Sequence, residues 1–431
     1  MKKFLYSVLM LAAVVLAACS NDDNGDTQPK RGMILNASVE NLSSRATMTD
    51  ESGTWKFAFT QNDQVSVSNN KISSYYTFTN NGSQFTCAQA EATTVAADWY
   101  AYFPGNEVDL TNQTGDFADV ANKFAVAGVT AEATTGEKGL SITLKSKVAV
   151  LRVVAVDKNG ILDIHVKTAE GKWVKGLTAI KNAADFTVST SDTKTTLLHK
   201  AAGEVQAGEI NYVVVPAGEK IAIYNGDLLL NTTKAAGLTA GKYYTITSGP
   251  TKGTANALIN GVKTPVEWVQ LWAGGPRIAT QNVAEEMTWT DAAKTGKDYV
   301  WGENWHTPTA EEVEEEGGLL FDWSTGQAKA GSPTFTITTA PDGTEETVVF
   351  TGVQPGYTKN TLTLYKKVVN GYNQFDFWTS TNDGGYGCKF IIWRKDNMTW
   401  GFGISKRHDP NTEYHLVRPV LSIQNITNNP K

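Results

Sequence analysis

The stretch LSITLKSKVAVLRVVAVD, Leu140 to Asp157, decides what kind of protein this is. It reads as strand, and runs of the same texture lie on both sides of it. Toward the C-terminus come INYVVVPAG (Ile210–Gly218), KIAIYNGDLLLN (Lys220–Asn231) and GKYYTITSG (Gly241–Gly249). Gly, Pro and Asn-Gly punctuate them at the close spacing of a β sandwich, and no long amphipathic helix intervenes. Toward the N-terminus, Met33, Leu35, Ala37 and Val39 alternate with Ile34, Asn36, Ser38 and Glu40, the period of a half-buried strand. WKFAFTQNDQVSVSN (Trp55–Asn69) gives two strands around Asn62-Asp63, and YYTFTNNGSQFTC (Tyr75–Cys87) two more around Asn80-Asn81-Gly82, where Asn-Gly suits positive φ. ADWYAYFP follows and ends at Pro104. Between Asp116 and Gly139 the chain turns Ala/Thr/Gly-rich with weak periodicity, so a domain boundary is expected there. That division gives one β domain over 32–137 and a second over 138–249.

The 431 residues and 41% hydrophobic content supply cores for several domains. With 38 Lys+Arg against 44 Asp+Glu, the net charge of -6 gives no reason to hold a polyanion, and nucleic acid is not an expected partner. Lys2 and Lys3 precede the apolar run Phe4–Ala17, which is too short for a comfortable membrane span, and LAAC (Leu16–Cys19) closes it. That ending resembles a lipobox. The resemblance implies a signal peptide over 1–18, diacylation of Cys19 and an outer-membrane anchor. Residues 19–31, with three aspartates in SNDDNGDTQPKRG, read as a solvated tether. A serine and acidic residues after the lipidated cysteine also resemble a surface-export signal of diderm bacteria, which implies a place at the cell surface. Cys87 and Cys388 fall in different expected domains, form no disulfide framework, and are expected to be buried and structural.

The order of these pieces resembles the fimbrillin family of type V pilus subunits. The lipobox and tether come first, then a strand, then Arg45-Ala46-Thr47 in SSRATMT. NDQVSVS, WYAYFP, ITLKSKVAVLRVVAV and a closing LTAGKYYTITS follow. The resemblance implies two consecutive transthyretin-like β sandwiches between Cys19 and Gly249. It also implies proteolytic maturation between Arg45 and Ala46, release of the strand Met33–Leu42, and entry of a neighbouring subunit's strand into the opened groove. An unpaired sheet edge with an apolar stripe gains hydrogen bonds and burial from such a donor.

From residue 254 to 424 the character changes. Of the twelve tryptophans only Trp55, Trp99 and Trp173 lie earlier, which leaves nine in this region. In VWGENWHTPTAEEVEEEGG (Val300–Gly318), Thr309 and Glu312 fit a capping box, with Pro308 before it and Gly317-Gly318 after it. His306 with Glu303 or Glu311 does not reproduce the i, i+4 zinc pair of metalloproteases, and no metal is assigned. Trp301 and Trp305 read as core. The segments VEWVQLWAGGPRIATQNV, YVWGENWHTPTAEEVEE, FWTSTNDGGYGCKFIIWR and EYHLVRPVLS (Val266–Ser422) resemble the FISUMP-type domain of bacterial surface proteins. That resemblance implies an α+β, C-type-lectin-like fold. The expected fold class is therefore mainly β, with two sandwiches followed by this α+β domain.

The sugar-binding tripeptides of calcium-dependent lectins are missing, and Asn382-Asp383 reads as a turn. No phosphate loop, Gly-x-Ser-x-Gly elbow or His-Glu-x-x-His is found, so no catalytic residue or cofactor is assigned and an enzyme is not expected. Trp378, Tyr386, Trp393 and Trp400 are the candidate ligand-binding aromatics, with core packing as the alternative. The expected function is a lipid-anchored surface lipoprotein acting as an accessory or tip subunit of a type V-like pilus, released into the pilus after cleavage. Little chain follows Val417–Val420 to donate onward. Its partners would be other pilus subunits by strand donation and a glycan or a host or bacterial surface protein. A non-polymerising binding lipoprotein, and less so a surface enzyme, remain alternatives.

Overall fold

A computed structural model of the chain describes residues 33–40, 50–51, 54–55, 59–87, 98–130, 139–157, 160–283, 285–294, 301–302, 305–314, 321–322, 327–328, 333–339, 346–365, 367–369, 372–395 and 401–421. It is mainly β, in several sheets. The first seven labelled strands are β1 (Met33–Val39), β2 (Gln64–Asn69), β3 (Tyr76–Asn80), β4 (Phe85–Cys87), β5 (Trp99–Phe103), β6 (Val126–Val129) and β7 (Leu140–Ser146). They close into a barrel in the order β1-β7-β6-β5-β2-β3-β4, rather than ending as an open two-sheet sandwich. Turn chemistry sets the hairpins as expected. Asn62 takes φ 73° and Gly82 φ 99°, and Asn81 Oδ1 accepts from the backbone N–H of Ser83 and Gln84.

The expected boundary at 137/138 lies outside the described residues. A helix, α1 (Phe117–Lys123), and the strand β6 lie in the described part of the 116–139 segment. β6 pairs with both β5 and β7. β7, assigned by sequence to the second domain, is the strand that completes the first barrel. The switch comes at Lys147. Before it, Leu140, Ile142 and Leu144 are buried while Ser141, Thr143 and Lys145 are exposed; after it, β8 (Val148–Val154) is buried on both faces apart from Arg152. One-sided and two-sided burial are what a barrel wall and a central strand respectively demand.

β8 sits between β12 (Ile210–Pro216) and β15 (Tyr243–Thr247). Facing it is a sheet with the order β11 (Phe186–Ser191), β10 (Trp173–Ala179), β9 (Leu162–Thr168), β13 (Ile221–Asn225), β14 (Leu228–Thr232). The short strand Glu107–Asp109 leaves the barrel region to pair with β10. Barrel and second unit thus share one continuous core that runs from Met33 to Leu238.

The C-terminal unit begins with β16 (Lys252–Ile259) and β17 (Val262–Val269), which join β18 (Arg277–Ala279), β19 (Trp305–His306) and the late strand β28 (Val420–Leu421) in the order β16-β17-β18-β28-β19. β20 (Thr334–Thr339), β21 (Glu346–Thr351) and β22 (Thr361–Tyr365) form a second sheet. β23 (Lys367–Val369), β24 (Tyr372–Asp383), β25 (Tyr386–Lys395) and β26 (Gly401–His408) form a third. β27 (Tyr414–His415) pairs with the two-residue strand Met287–Thr288. Helix here is confined, among the described residues, to α2 (Trp289–Ala292) and α3 (Ala310–Glu314).

The expected capping box opens α3. Glu312 N–H donates to Thr309 Oγ1 at 3.1 Å, and Thr309 N–H donates to Glu312 Oε2 at 2.7 Å. Trp301 and Trp305 are core, at 2% and 0% exposure. Asp157 anchors the C-terminal unit to the second: Arg277 Nη2 lies 2.9 and 3.1 Å from its two carboxylate oxygens. Tyr357 packs with Val154 and Val156 beside that pair.

Arg418 has a different setting. It is 1% exposed. Its guanidinium donates to Asn282 Oδ1 at 2.6 Å and to the carbonyls of Thr363 (2.7 Å), Ala279 and Thr280. Burial among neutral acceptors pulls its pKa down to about 10, still high enough to keep it charged at neutral pH. Replacing it by Met leaves several buried acceptors unpaired and should cost about 3 kcal/mol. Urea unfolding followed by tryptophan fluorescence reads this directly; an unchanged midpoint would show that the carbonyl clamp contributes nothing.

Glu312 gives a pH dependence. Burial opposes its ionisation, but hydrogen bonds from His306 and the cap outweigh it and hold the carboxyl below its ordinary 4.5. A depressed folded pKa contributes stability that is complete above the unfolded value and is lost as pH falls through the folded one. Gln at this position keeps the cap without the charge. The Glu312→Gln thermal midpoint should therefore lie below wild type at pH 7 and converge with it below pH 4.5; parallel curves would count against the ionised cap.

Candidate functional site

β1 is the strand that closes the barrel, paired on both edges. On one side it pairs in parallel with β7, from Leu35↔Leu140 to Val39↔Leu144. On the other it pairs antiparallel with β4, from Met33↔Cys87 to Leu35↔Phe85. Among the described residues, the β1·β7 ladder is the barrel's one parallel pairing. Parallel ladders are slightly weaker per residue. The alternation expected of this strand is present: Met33 and Leu35 are buried, Ala37 and Val39 half-buried, Asn36 and Ser38 exposed. Across the seam, the Glu40–Lys145 ion pair at 3.1 Å is exposed and adds little. Withdrawing β1 would open the barrel between β4 and β7. Both new edges would then flank the core that Met33 and Leu35 had covered.

Cys19, Arg45 and Ala46 lie outside the described residues. Cys87 and Cys388 are buried and in no disulfide.

The candidate binding aromatics do not form one face. Trp378 is 0% exposed, which corrects its assignment: its indole N–H donates to Met287 O at 2.8 Å, and its ring meets His415 edge-on at 4.6 Å between centroids. An enclosed ring offers no face to a sugar. Tyr386 is 47% exposed and follows the Gly384-Gly385 turn, whose φ values of 65° and 96° make a tight hairpin loop. Asn382 Oδ1 accepts from Gly385 N–H there, so the expected turn is present. Trp393 lies on β25 opposite Gln374, and Trp400 lies outside the described residues.

Beneath Trp378 is a polar cluster that sequence reasoning missed. Asp376, at 1% side-chain exposure, lies 3.2 Å from Lys389 Nζ and 2.9 Å from His415 Nδ1. Burial opposes ionisation of Asp376, yet His415, Lys389 and Gln374 outweigh it and hold the carboxyl down at about 2. Among the described residues, His408, Glu413 and His415 are the one group placed closely enough to hold a metal ion. The available signal was two of five histidines within HDPNTEYH, with Glu413 between them.

No protein-family model matches the chain, and no curated protein matches it. Among solved structures, a candidate cell adhesion protein from Bacteroides ovatus is similar over 56% of this chain and 96% of its own, at 10% identity and a TM-score of 0.32. One from Bacteroides uniformis is similar over 56% and 97%, at 13% identity and a TM-score of 0.28. A fimbrial protein from Bacteroides ovatus is similar over 91% and 99%, at 12% identity and a TM-score of 0.22. Likeness at these scores establishes neither a common fold nor a common function.

Proposed function

We propose that this chain is a cell-surface adhesion protein of the pilus-subunit kind, lipid-anchored at Cys19 in the outer membrane until cleavage between Arg45 and Ala46 releases it from the anchor and frees β1, the barrel's closing strand. The observation that carries the reading is the place of β1 in the barrel. It joins its neighbours by backbone ladders on both edges, covers the core with Met33 and Leu35, and precedes Arg45 in the chain. A strand donated by another subunit would gain both ladders and the apolar contact. β28, by contrast, is held on both edges by β18 and β19. Val420 and Leu421 are therefore committed within their own sheet. An accessory or tip position, with the C-terminal unit binding a glycan or a surface protein, belongs to the same proposal.

Mass spectrometry of the chain from its native surface, with lipid retained, should find an N-terminus at Ala46. A chain found solely from acylated Cys19 would make it a standing lipoprotein with a closed barrel. In vitro, the chain cut after Arg45 should exchange β1 for a dye-labelled Met33–Val39 peptide, while the uncut chain takes up none. Leu35→Ala in that peptide removes a buried side chain worth about 2–5 kcal/mol, so its retention should fall roughly 30-fold or more. Equal retention of the two peptides would show that the seam is not held by this apolar contact.

A further inference from the structure

We propose that His408, Glu413 and His415 form a binding site for a divalent transition metal of the zinc class on the C-terminal unit. The side chains converge from the end of β26, from β27 and from the loop between them. Glu413 Oε2 lies 2.7 Å from His408 Nδ1 and 3.5 Å from His415 Nε2, and the three ligand atoms all fall within 4.8 Å of one another. A tetrahedral ion bonded at about 2.0–2.1 Å wants its ligand atoms roughly 3.3 Å apart, so seating it asks pairs as far apart as 4.8 Å to close by up to about 1.5 Å through side-chain rotation.

A second observation concerns the far atom of each ligand. His415 turns Nδ1 to Asp376 Oδ2, at the 2.9 Å distance of an ion pair though outside hydrogen-bond geometry, which leaves Nε2 for the cluster. His408 has Nε2 2.8 Å from Ser405 Oγ, which leaves Nδ1. Glu413 Oε1 accepts from Asp409 N–H at 3.1 Å, which leaves Oε2. Each ligand is oriented from behind, as the histidines and carboxylates of metal sites are. The side chains of His408 and Glu413 are 18% and 41% exposed, so an ion could enter from solvent and keep a fourth position open to water.

Two imidazoles and a carboxylate select the metal. The set suits Zn²⁺, with Cu²⁺ tighter by the usual order of divalent ions, and not Ca²⁺, which needs six to eight oxygens. Lys389 acts in opposition. Its Nζ donates to His415 Nε2 at 3.2 Å, so an ion must displace that hydrogen bond as well as meet the lysine charge, which Asp376 offsets in part.

The test is calorimetric titration of Zn²⁺ into the full chain after chelator treatment, repeated with Co²⁺ to read ligand geometry from its visible spectrum. One ion per chain is expected, with the spectrum of a four-coordinate site and a thermal midpoint that rises with zinc. His408→Ala and Glu413→Gln should each weaken binding at least about tenfold, and Ser405→Ala, which only orients His408, about tenfold. Circular dichroism of each variant separates lost binding from lost fold; should His408→Ala not fold, Glu413→Gln and Ser405→Ala carry the test. No uptake of Zn²⁺ overturns the proposal. So does uptake unchanged in the folded variants, which would move the ion away from this cluster.

Discussion

Backbone pairing along Leu140–Asp157 is the constraint on which all three units depend. Its first part, β7, gives β1 a parallel neighbour and so closes the barrel. Its middle, β8, is the central strand of the second unit, bonded to β12 on one edge and β15 on the other. Its end, Val156 and Asp157, receives the C-terminal unit through Gly274 N–H, Tyr357 and the carboxylate pair with Arg277. The chain passes from barrel to second sheet at Lys147 without a turn. Strain or slippage at one part would be felt at the others, because a one-residue shift would reverse which side chains of β7 face the core.

The two N-terminal units repeat one connection. In each, the first strand lies parallel to the last: β1 beside β7, and β8 beside β15. A parallel neighbour cannot be reached through a hairpin, so in each unit the intervening strands must travel round before the seam closes. The seam therefore forms between residues far apart in sequence, last in chain order and dearest in loop entropy. The difference lies in surroundings. β8 is interior to the chain and buried on both faces, whereas β1 stands at the N-terminal side of its barrel with Asn36 and Ser38 exposed. Of the two first strands, β1 is the one with a side open to solvent.

Much of this was legible in local pattern. The alternation in Met33–Glu40, the Asn62 and Gly82 turns, the Gly384-Gly385 hairpin and the Thr309–Glu312 cap rest on side-chain period, positive φ or a reciprocal hydrogen bond, all encoded within a few residues. Ala/Thr/Gly richness between 116 and 139 looks like linker, while α1 and β6 within it are short and draw their stability from packing on the shared core. The correct signal was finer: the change at Lys147 from alternate to continuous apolar residues. The parallel seams join residues a hundred positions apart, and no local pattern announces them.

The C-terminal unit shows the same limit in side-chain chemistry. Nine tryptophans invite a search for a binding face there, but Trp268, Trp272, Trp301, Trp305 and Trp378 are spent on two adjoining cores. Aromatic area is the cheapest means of filling a unit built from short sheets with little helix. Its polar groups are the rarer resource. Arg418 is fixed by carbonyls without a carboxylate among its hydrogen-bond partners, while Asp376 is flanked by Lys389 and His415. A buried charge persists only where its neighbours answer it. The buried titratable groups Asp376, Lys389 and His415 are therefore found together, on β24, β25 and β27, and are not the aromatic residues that first draw the eye.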